Sequence, residues 1–369
     1  MGLDGIDEQI PKQQMNILAI CTQRIGDVLL ITPLIRSLKS AYPNATIDAL
    51  VCSDTAQVMK GNKDIDSVIA IQRHSKKSQR LKEIIKLWNL YDMSVTTIPS
   101  DRARIYGWAA SKKHYGTYLE EENPLVKNLM FKRVLFDNKH THTVDMNLKL
   151  CDLIGIPRIE TVMPPNADDE NHLGNFNKPY VVVHPYPKFT YKSWTQEGWK
   201  KLLLYLSQQN LNVYISGSND PSEISYCQEL VVSEKVMNIA GKYSLSELSS
   251  VIKSSELFIG VDTSVTHLAA ATGTRVIAVY GPTNPVKWGP WPNTKDMRRP
   301  TIWMSHSRTP QVVSNITLIQ GVQECIPCAE EGCDKHVNSE SKCLTTLKSE
   351  TVIQQVELIL HARVVGDSF

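Results

Sequence analysis

Short apolar runs alternate with segments of helical period along most of this chain. Asn16–Cys21, Thr46–Val51, Ser67–Ile71 and Met93–Thr97 read as strands, each an almost unbroken apolar or small-residue run. Helices are expected from the Arg24–Asp27 turn to about Tyr42 and from about Gln79 to Leu90. His142–Ile156 spaces Val144, Leu148, Cys151 and Leu153 on one helical face, and Gly155 stops it. The second half repeats the rhythm, with strands at Tyr180–His184, Asn212–Ser216, Met237–Ala240, Leu257–Val261 and Arg275–Tyr280. Helices follow Thr195, Asp220, Ser244 and the Asp262-Thr263-Ser264 cap. Continuous apolar strands, as opposed to alternating ones, belong to parallel sheets covered on both faces. Strand–helix alternation with such strands predicts doubly wound α/β domains.

The stretch between the two halves breaks the pattern. Thr161–Pro179 has no periodicity and is rich in Pro, Asn, Asp and Gly, the composition of a linker. The expected organisation is a first domain over residues 1–165, a linker over 166–179, a second domain over 180–346 and a final helical segment over 347–369. A chain of 369 residues is long enough for two such cores. A net charge of +2 gives no global signal for nucleic acid, and no apolar run reaches the roughly 18 residues of a bilayer span. The acidic, polar start MGLDGIDEQIPKQQ does not read as a signal peptide, so a cytoplasmic protein is expected.

Local charge is less even. Between Arg73 and Lys113 there are ten Lys and Arg against three Asp and Glu, with Trp88, Tyr106 and Trp108 interleaved. A solvated helix face accounts for such a run; a surface for an anionic partner, such as a phosphorylated lipid head group, accounts for it equally.

In doubly wound sheets, ligands sit at the carboxyl ends of strands. The candidates are therefore the residues just past strand ends. Asp27 follows the first strand, where it is a helix-start acid or a catalytic carboxylate. Lys188 and Lys192 lie in the loop after Tyr180–His184. Asp220 and Glu223 follow Asn212–Ser216, where an acid suits ribose hydroxyls as well as a helix first turn. Asp262, Thr263 and Ser264 open a helix whose free N–H groups suit a phosphate, and His267 lies on that helix.

These residues resemble one family. Arg24-Ile25-Gly26-Asp27-Val28-Leu29-Leu30-Ile31-Thr32-Pro33 with Tyr42-Pro43, then Lys192-Ser193-Trp194, then Gly260-Val261-Asp262-Thr263-Ser264-Val265-Thr266-His267 with Tyr280-Gly281-Pro282-Thr283-Asn284-Pro285, are similar in order to the three blocks of the heptosyltransferases, glycosyltransferase family 9. With the material between them they cover about Asn16 to Leu360. The resemblance implies a GT-B fold: two Rossmann-like domains facing across a cleft, with a last helix, Thr351–Ala362, crossing back to the first. It implies an inverting, metal-independent transfer of heptose from an ADP donor to the inner core of lipopolysaccharide; the basic Arg73–Lys113 region adds the expectation of peripheral contact with the inner membrane.

Residue by residue, the resemblance gives Asp27 as general base and Lys192 as the catalytic cation near the donor diphosphate. Asp262, Thr263, Ser264 and His267 fall on the donor side, with Glu223 or Asp220 at the ribose and Tyr243 beside the adenine. Arg24, Arg73, Lys76, Lys77, Arg80, Arg102 and Arg104 are expected on the acceptor side. Ser264-Val265 stands where Gly-Leu is more usual, which leaves the donor sugar open. Protein glycosylation, a different nucleotide sugar, or a non-catalytic nucleotide-sugar-binding subunit are the alternatives.

Cys325, Cys328, Cys333 and Cys343 have the spacing C-x2-C-x4-C-x9-C. In a cytoplasmic chain four such thiols point to a structural metal before disulfides, and a packed thiol cluster fits as well. Some protein-modifying relatives carry an iron there, so the resemblance keeps a structural metal open without giving it a part in catalysis.

Overall fold

The computed structural model describes residues 15–137, 139–167, 176–292 and 302–366. The first lobe contains β1 (Asn16–Cys21), α1 (Ile25–Leu29), α2 (Thr32–Ala41), β2 (Thr46–Cys52), a 3-10 turn at Ala56–Met59, β3 (Ser67–Ile71), α3 (Lys77–Leu87), β4 (Met93–Thr96), α4 (Asp101–Ala110), β5 (His114–Tyr118), α5 (Pro124–Lys127), β6 (Lys132–Leu135) and α6 (Thr143–Ile154). Its sheet runs β3-β2-β1-β4-β5-β6, parallel throughout.

The second lobe contains β7 (Tyr180–His184), α7 (Gln196–Gln208), β8 (Asn212–Ile215), α8 (Pro221–Glu229), β9 (Val236–Asn238), α9 (Leu245–Lys253), β10 (Leu257–Val261), α10 (Ser264–Thr272), β11 (Val276–Tyr280), α11 (Pro285–Trp288), β12 (Gln311–Val313), β13 (Ile316–Gln320), α12 (Lys342–Thr345) and α13 (Ser349–Gly366). Its sheet runs β12-β13-β11-β10-β7-β8-β9, parallel except where β12 meets β13.

Burial explains the strand pattern. All five residues of β7, β10 and β11 are buried, as strands sandwiched between helix layers must be. The helices present apolar stripes to these sheets; α7 buries Trp199, Leu202, Leu203 and Leu206, which recur every three or four residues.

The helix expected to run to Tyr42 is two helices. Pro33 has no N–H to give, so α1 ends at Leu29 and α2 restarts with Pro33 in its first turn. Thr32 stitches the break by donating its hydroxyl to Leu29 O at 2.8 Å. The linker's first part belongs to the first lobe. Ile159 N donates to Ser37 Oγ, Met163 N to Thr32 Oγ1 and Asn166 N to Lys60 O. Residues 168–175 of the linker lie outside the described residues.

The lobes are fastened along one seam. The turn after β11 reaches back to α6, where Thr143 Oγ1 donates to Lys287 O at 3.1 Å and His142 Nε2 lies 2.9 Å from Gly289 O. Trp291 donates its ring N–H to Glu160 O at 2.9 Å. Above this seam one apolar cluster continues from Val28, Leu29 and Ile31 in the first lobe to Phe258, Val265 and Leu268 in the second. α13 packs on α7 and β11, with Val352 and Val356 buried there.

Gly289, whose carbonyl faces His142 across the seam, is closely packed within the second lobe. A Cβ there would lie 2.3 Å from the Trp303 ring and 2.7 Å from Pro285 O. Gly289→Ala should lower stability by about 1–3 kcal/mol through overpacking, read as a shifted midpoint in urea denaturation. An unchanged midpoint would show that Trp303 moves aside freely.

Candidate active site

The carboxyl ends of β1, β7 and β10 open onto the crevice between the lobes. The β1 turn starts a short helix, and Asp27, three residues in, accepts the backbone N–H of Arg24 at 3.1 Å through Oδ2. Burial pushes the Asp27 carboxyl above the ordinary carboxylate range, although Arg24, Lys287 and Arg73 pull it down. This helix faces α10 of the other lobe: a Cβ on Gly26 would stand 3.9 Å from His267 Cδ2. The helix that carries the acid of the first lobe therefore packs against the capped helix of the second.

Across that crevice Lys192 and Asp262 form an ion pair, Nζ to Oδ2 at 2.7 Å. Thr283 adds a hydroxyl donor to the same oxygen at 2.5 Å. Asp262 is buried while Lys192 is partly exposed, so the pair presents its cation to the crevice. Thr263, not Asp262, caps α10; its hydroxyl accepts from Thr266 N. Asp262 is thereby left for side-chain partners. His267 is buried and held neutral by burial, with its pKa pushed down to about 4. Its Nδ1 has no hydrogen-bond partner among the described residues.

A second cation escaped sequence reasoning. Lys287 on α11 is 1% exposed. Its ammonium donates to Asp137 O at 2.9 Å and lies 4.0 Å from the Phe136 ring centroid. Burial lowers its pKa to about 8, against the pull of Asp137 and Asp27. Its charge, from the second lobe, is one of those that pull the Asp27 carboxyl down. The sequence signal was a lone lysine inside the apolar turn Pro285–Trp288.

The remaining expectations separate. Glu223 is buried beside the end of β8; a Cβ on Gly217 would lie 3.1 Å from its Cγ. Its carboxylate accepts the Ser218 hydroxyl. Asp220 instead faces outward as the N-cap of α8, accepting from Ser222 N at 2.9 Å. Tyr243 packs against Phe176, ring centroids 5.7 Å apart, at the edge of an aromatic cluster with Tyr180 and Tyr214.

Arg24 lies at the crevice mouth with its guanidinium 4.9 Å from the Phe189 ring centroid of the opposite lobe. Arg73 ties the turns down: it pairs with Asp54 at 2.8 Å and donates to Thr22 O and Gln23 O. Arg102 donates to Arg73 O and Gln72 O. Lys76 and Lys77 are exposed at the start of α3, and Arg80 is partly buried on it. Arg104, expected on the acceptor surface, is buried and spent internally, pairing with Glu122 at 2.6 Å and Asp101 at 3.2 Å.

The four late cysteines differ in exposure. Cys325, Cys328 and Cys333 are exposed and Cys343 is buried. Burial first, then the other three thiols, pushes the Cys343 pKa up to about 12, so this sulfur is held as a thiol. Among the described residues no group of three or more His, Cys, Asp or Glu side chains is placed to hold a metal ion.

Two doubly wound lobes with acid, cation and capped helix meeting at their strand ends define the GT-B architecture of glycosyltransferases. A sequence model described as glycosyltransferase family 9 (heptosyltransferase) matches residues 107–333. Lipopolysaccharide heptosyltransferase 3 of Escherichia coli is 27% identical over 288 residues, which cover 73% of this chain and 84% of that protein. Among solved structures, a family 9 glycosyl transferase from Veillonella parvula matches with a TM-score of 0.74 at 18% identity, covering 94% of this chain and 97% of that one. The E. coli heptosyltransferase WaaC with ADP matches with a TM-score of 0.70 at 19% identity, covering 94% and 100%. The chain belongs to glycosyltransferase family 9.

Lys287 generates a pH prediction. Its folded pKa lies below that of an exposed lysine, so between about pH 8 and the unfolded value of about 10.4 the unfolded chain binds more protons and stability rises with pH. The cost of burying the charge is present in full below pH 8. Wild type should therefore gain stability relative to Lys287→Met across that window, measured by denaturant unfolding. Parallel curves for the two proteins would mean that the ammonium is not buried as described.

Proposed function

We propose that this chain transfers heptose from ADP-heptose to the inner core of lipopolysaccharide, with inversion at the anomeric carbon. The observation that supports the reading is that α1, which carries Asp27, packs on α10, the helix that follows the Asp262 end of the Lys192–Asp262 pair. The relatives named as lipopolysaccharide heptosyltransferases, and the related structure containing ADP, support the donor and acceptor classes.

In this reading the ADP lies on the second lobe. Backbone N–H groups at Thr263 and Ser264 meet the diphosphate, where the partial positive charge of α10 favours it. Glu223, already at a strand end, accepts from the ribose hydroxyls; Asp220 is turned away from that task. Tyr243 flanks the adenine. Lys192 offsets the negative charge that grows on the departing ADP, and Asp262 holds both Lys192 and the sugar. The acceptor enters from the first lobe past Arg24. As its hydroxyl attacks the anomeric carbon, Asp27 takes the proton. No step is routed through a metal. The acceptor is held in a membrane, and the chain works on it from the cytoplasmic side.

The raised Asp27 pKa fixes the sign of the pH dependence. When pH falls through that pKa the carboxyl is protonated and cannot accept the acceptor's proton, so kcat/KM falls. The acid limb should lie above the range of an exposed aspartate, about 3.9. Asp27→Asn should lower kcat about 100- to 10,000-fold with ADP affinity kept, measured with purified ADP-heptose and a lipopolysaccharide-core acceptor. Wild-type turnover in this variant would remove Asp27 as the base. Transfer to a protein but to no core acceptor would overturn the acceptor assignment.

A further inference from the structure

The face formed by α3 and α4 is not finished like the rest of the first lobe. On α3 and just beyond it, Leu81 is 57% exposed, Ile85 63% and Trp88 52%, at the spacing that puts all three on one helical face. Ile105 and Trp108, three residues apart on α4, are exposed as well. Trp88 and Trp108 meet edge to face with ring centroids 5.3 Å apart, which joins the two helices into one apolar surface. Single exposed apolar side chains need no explanation, but a contiguous group with two tryptophans at its centre does.

The charges around this surface identify what covers it. Lys76, Lys77, Lys82 and Lys86 on or beside α3, and Lys112 and Lys113 after α4, are all exposed. The one acid within α3, Glu83, is turned to internal partners: it accepts the Tyr106 hydroxyl and lies 3.4 Å from the Gln79 amide. Apolar side chains with tryptophan at the centre and lysine at the margin match the layered chemistry of an anionic bilayer surface, acyl chains beneath and phosphate head groups above. No helix among the described residues is long and apolar enough to cross a membrane, so attachment is from one side.

We propose that the α3–α4 face is the surface by which this protein docks on an anionic lipid bilayer, with Trp88 and Trp108 inserted at the head-group level and the lysines on the phosphates. It rests on the reading that the acceptor is membrane-held, and it adds where the membrane lies. Arg102 of α4 is bonded to Gln72 O and Arg73 O, and Arg73 holds the turn that leads to Asp27. The docked face and the acceptor side of the crevice are thus parts of one rigid edge, and a lipid-anchored sugar can reach Asp27 without leaving the bilayer.

The test is co-sedimentation of the full chain with vesicles of phosphatidylglycerol and phosphatidylethanolamine, beside vesicles of phosphatidylcholine alone. Wild type should sediment with the anionic vesicles only, release in high salt, and show a blue-shifted tryptophan emission when bound. Trp88→Ser with Trp108→Ser, and separately Lys82→Glu with Lys86→Glu, should each weaken binding about tenfold or more. Circular dichroism and turnover on a lipid-free core oligosaccharide should stay at wild-type values, while turnover on vesicle-embedded acceptor falls. Vesicle binding unaltered in both variants would overturn the proposal, as would absence of wild-type binding. A change from dimer to monomer in the tryptophan variant, with vesicle binding intact, would assign the face to a second copy instead. The vesicle readout does not need the transfer reaction, so failure of the proposed activity would be seen separately.

Discussion

A buried ammonium holds the two halves of this molecule in register. Lys287 leaves the second lobe, enters the first, and finds there one carbonyl and one aromatic face, with no ion pair to a carboxylate among the described residues. Burial of a lone cation is costly, so the protein surrounds it with fixed dipoles and an aromatic ring. Thr143, His142 and Trp291 add backbone-directed hydrogen bonds on either side. Each ties a side chain to a carbonyl, leaving few alternative registers. The separation between Asp27 and α10 follows from this seam, and any chemistry that spans the crevice inherits its precision from it.

Much of the architecture was legible because buried parallel strands leave an unmistakable trace. β3, β7 and β10 begin and end where the apolar runs do, and Ser244 caps α9 with the Glu247 partner that such a cap favours. The region from Asp101 to Leu135 was opaque for a physical reason. β5 reads His-Tyr-Gly-Thr-Tyr, yet it is a buried strand beside β4. Its polar groups are satisfied internally: His114 Nε2 lies 2.9 Å from Thr96 Oγ1, and Thr117 donates to Thr97 O. A strand whose burial rests on hydrogen bonds instead of aliphatic side chains leaves no hydrophobic signature.

The candidate site shows the same division. Asp27, Lys192 and Asp262 were nominated because they follow strand ends, and the structure brings Lys192 and Asp262 into contact there. Arg104 and Lys287 were misplaced or missed because their environments are made by residues far along the chain. Arg104 belongs to Glu122 and Thr117 O, and Lys287 to Phe136 and Asp137 O. Charge type alone does not say whether a long cationic side chain will reach for water or for a carbonyl. The cysteines carry a related lesson. Three exposed thiols and one buried one within nineteen residues share a neighbourhood without converging on a point.

The pairing of Lys192 with Asp262 has one more consequence. Before any nucleotide arrives, each already satisfies the other, with Thr283 completing the carboxylate's shell. If these residues serve the donor as proposed, binding is an exchange of partners instead of the filling of a vacancy. A donor that brings both a diphosphate for the lysine and a sugar hydroxyl for the acid can compensate both halves of the broken pair. ADP alone can compensate only one, and the acid is left to reclaim its old partner. The resting ion pair would then act as a spring against retention of the spent nucleotide, favouring its departure once the sugar has gone.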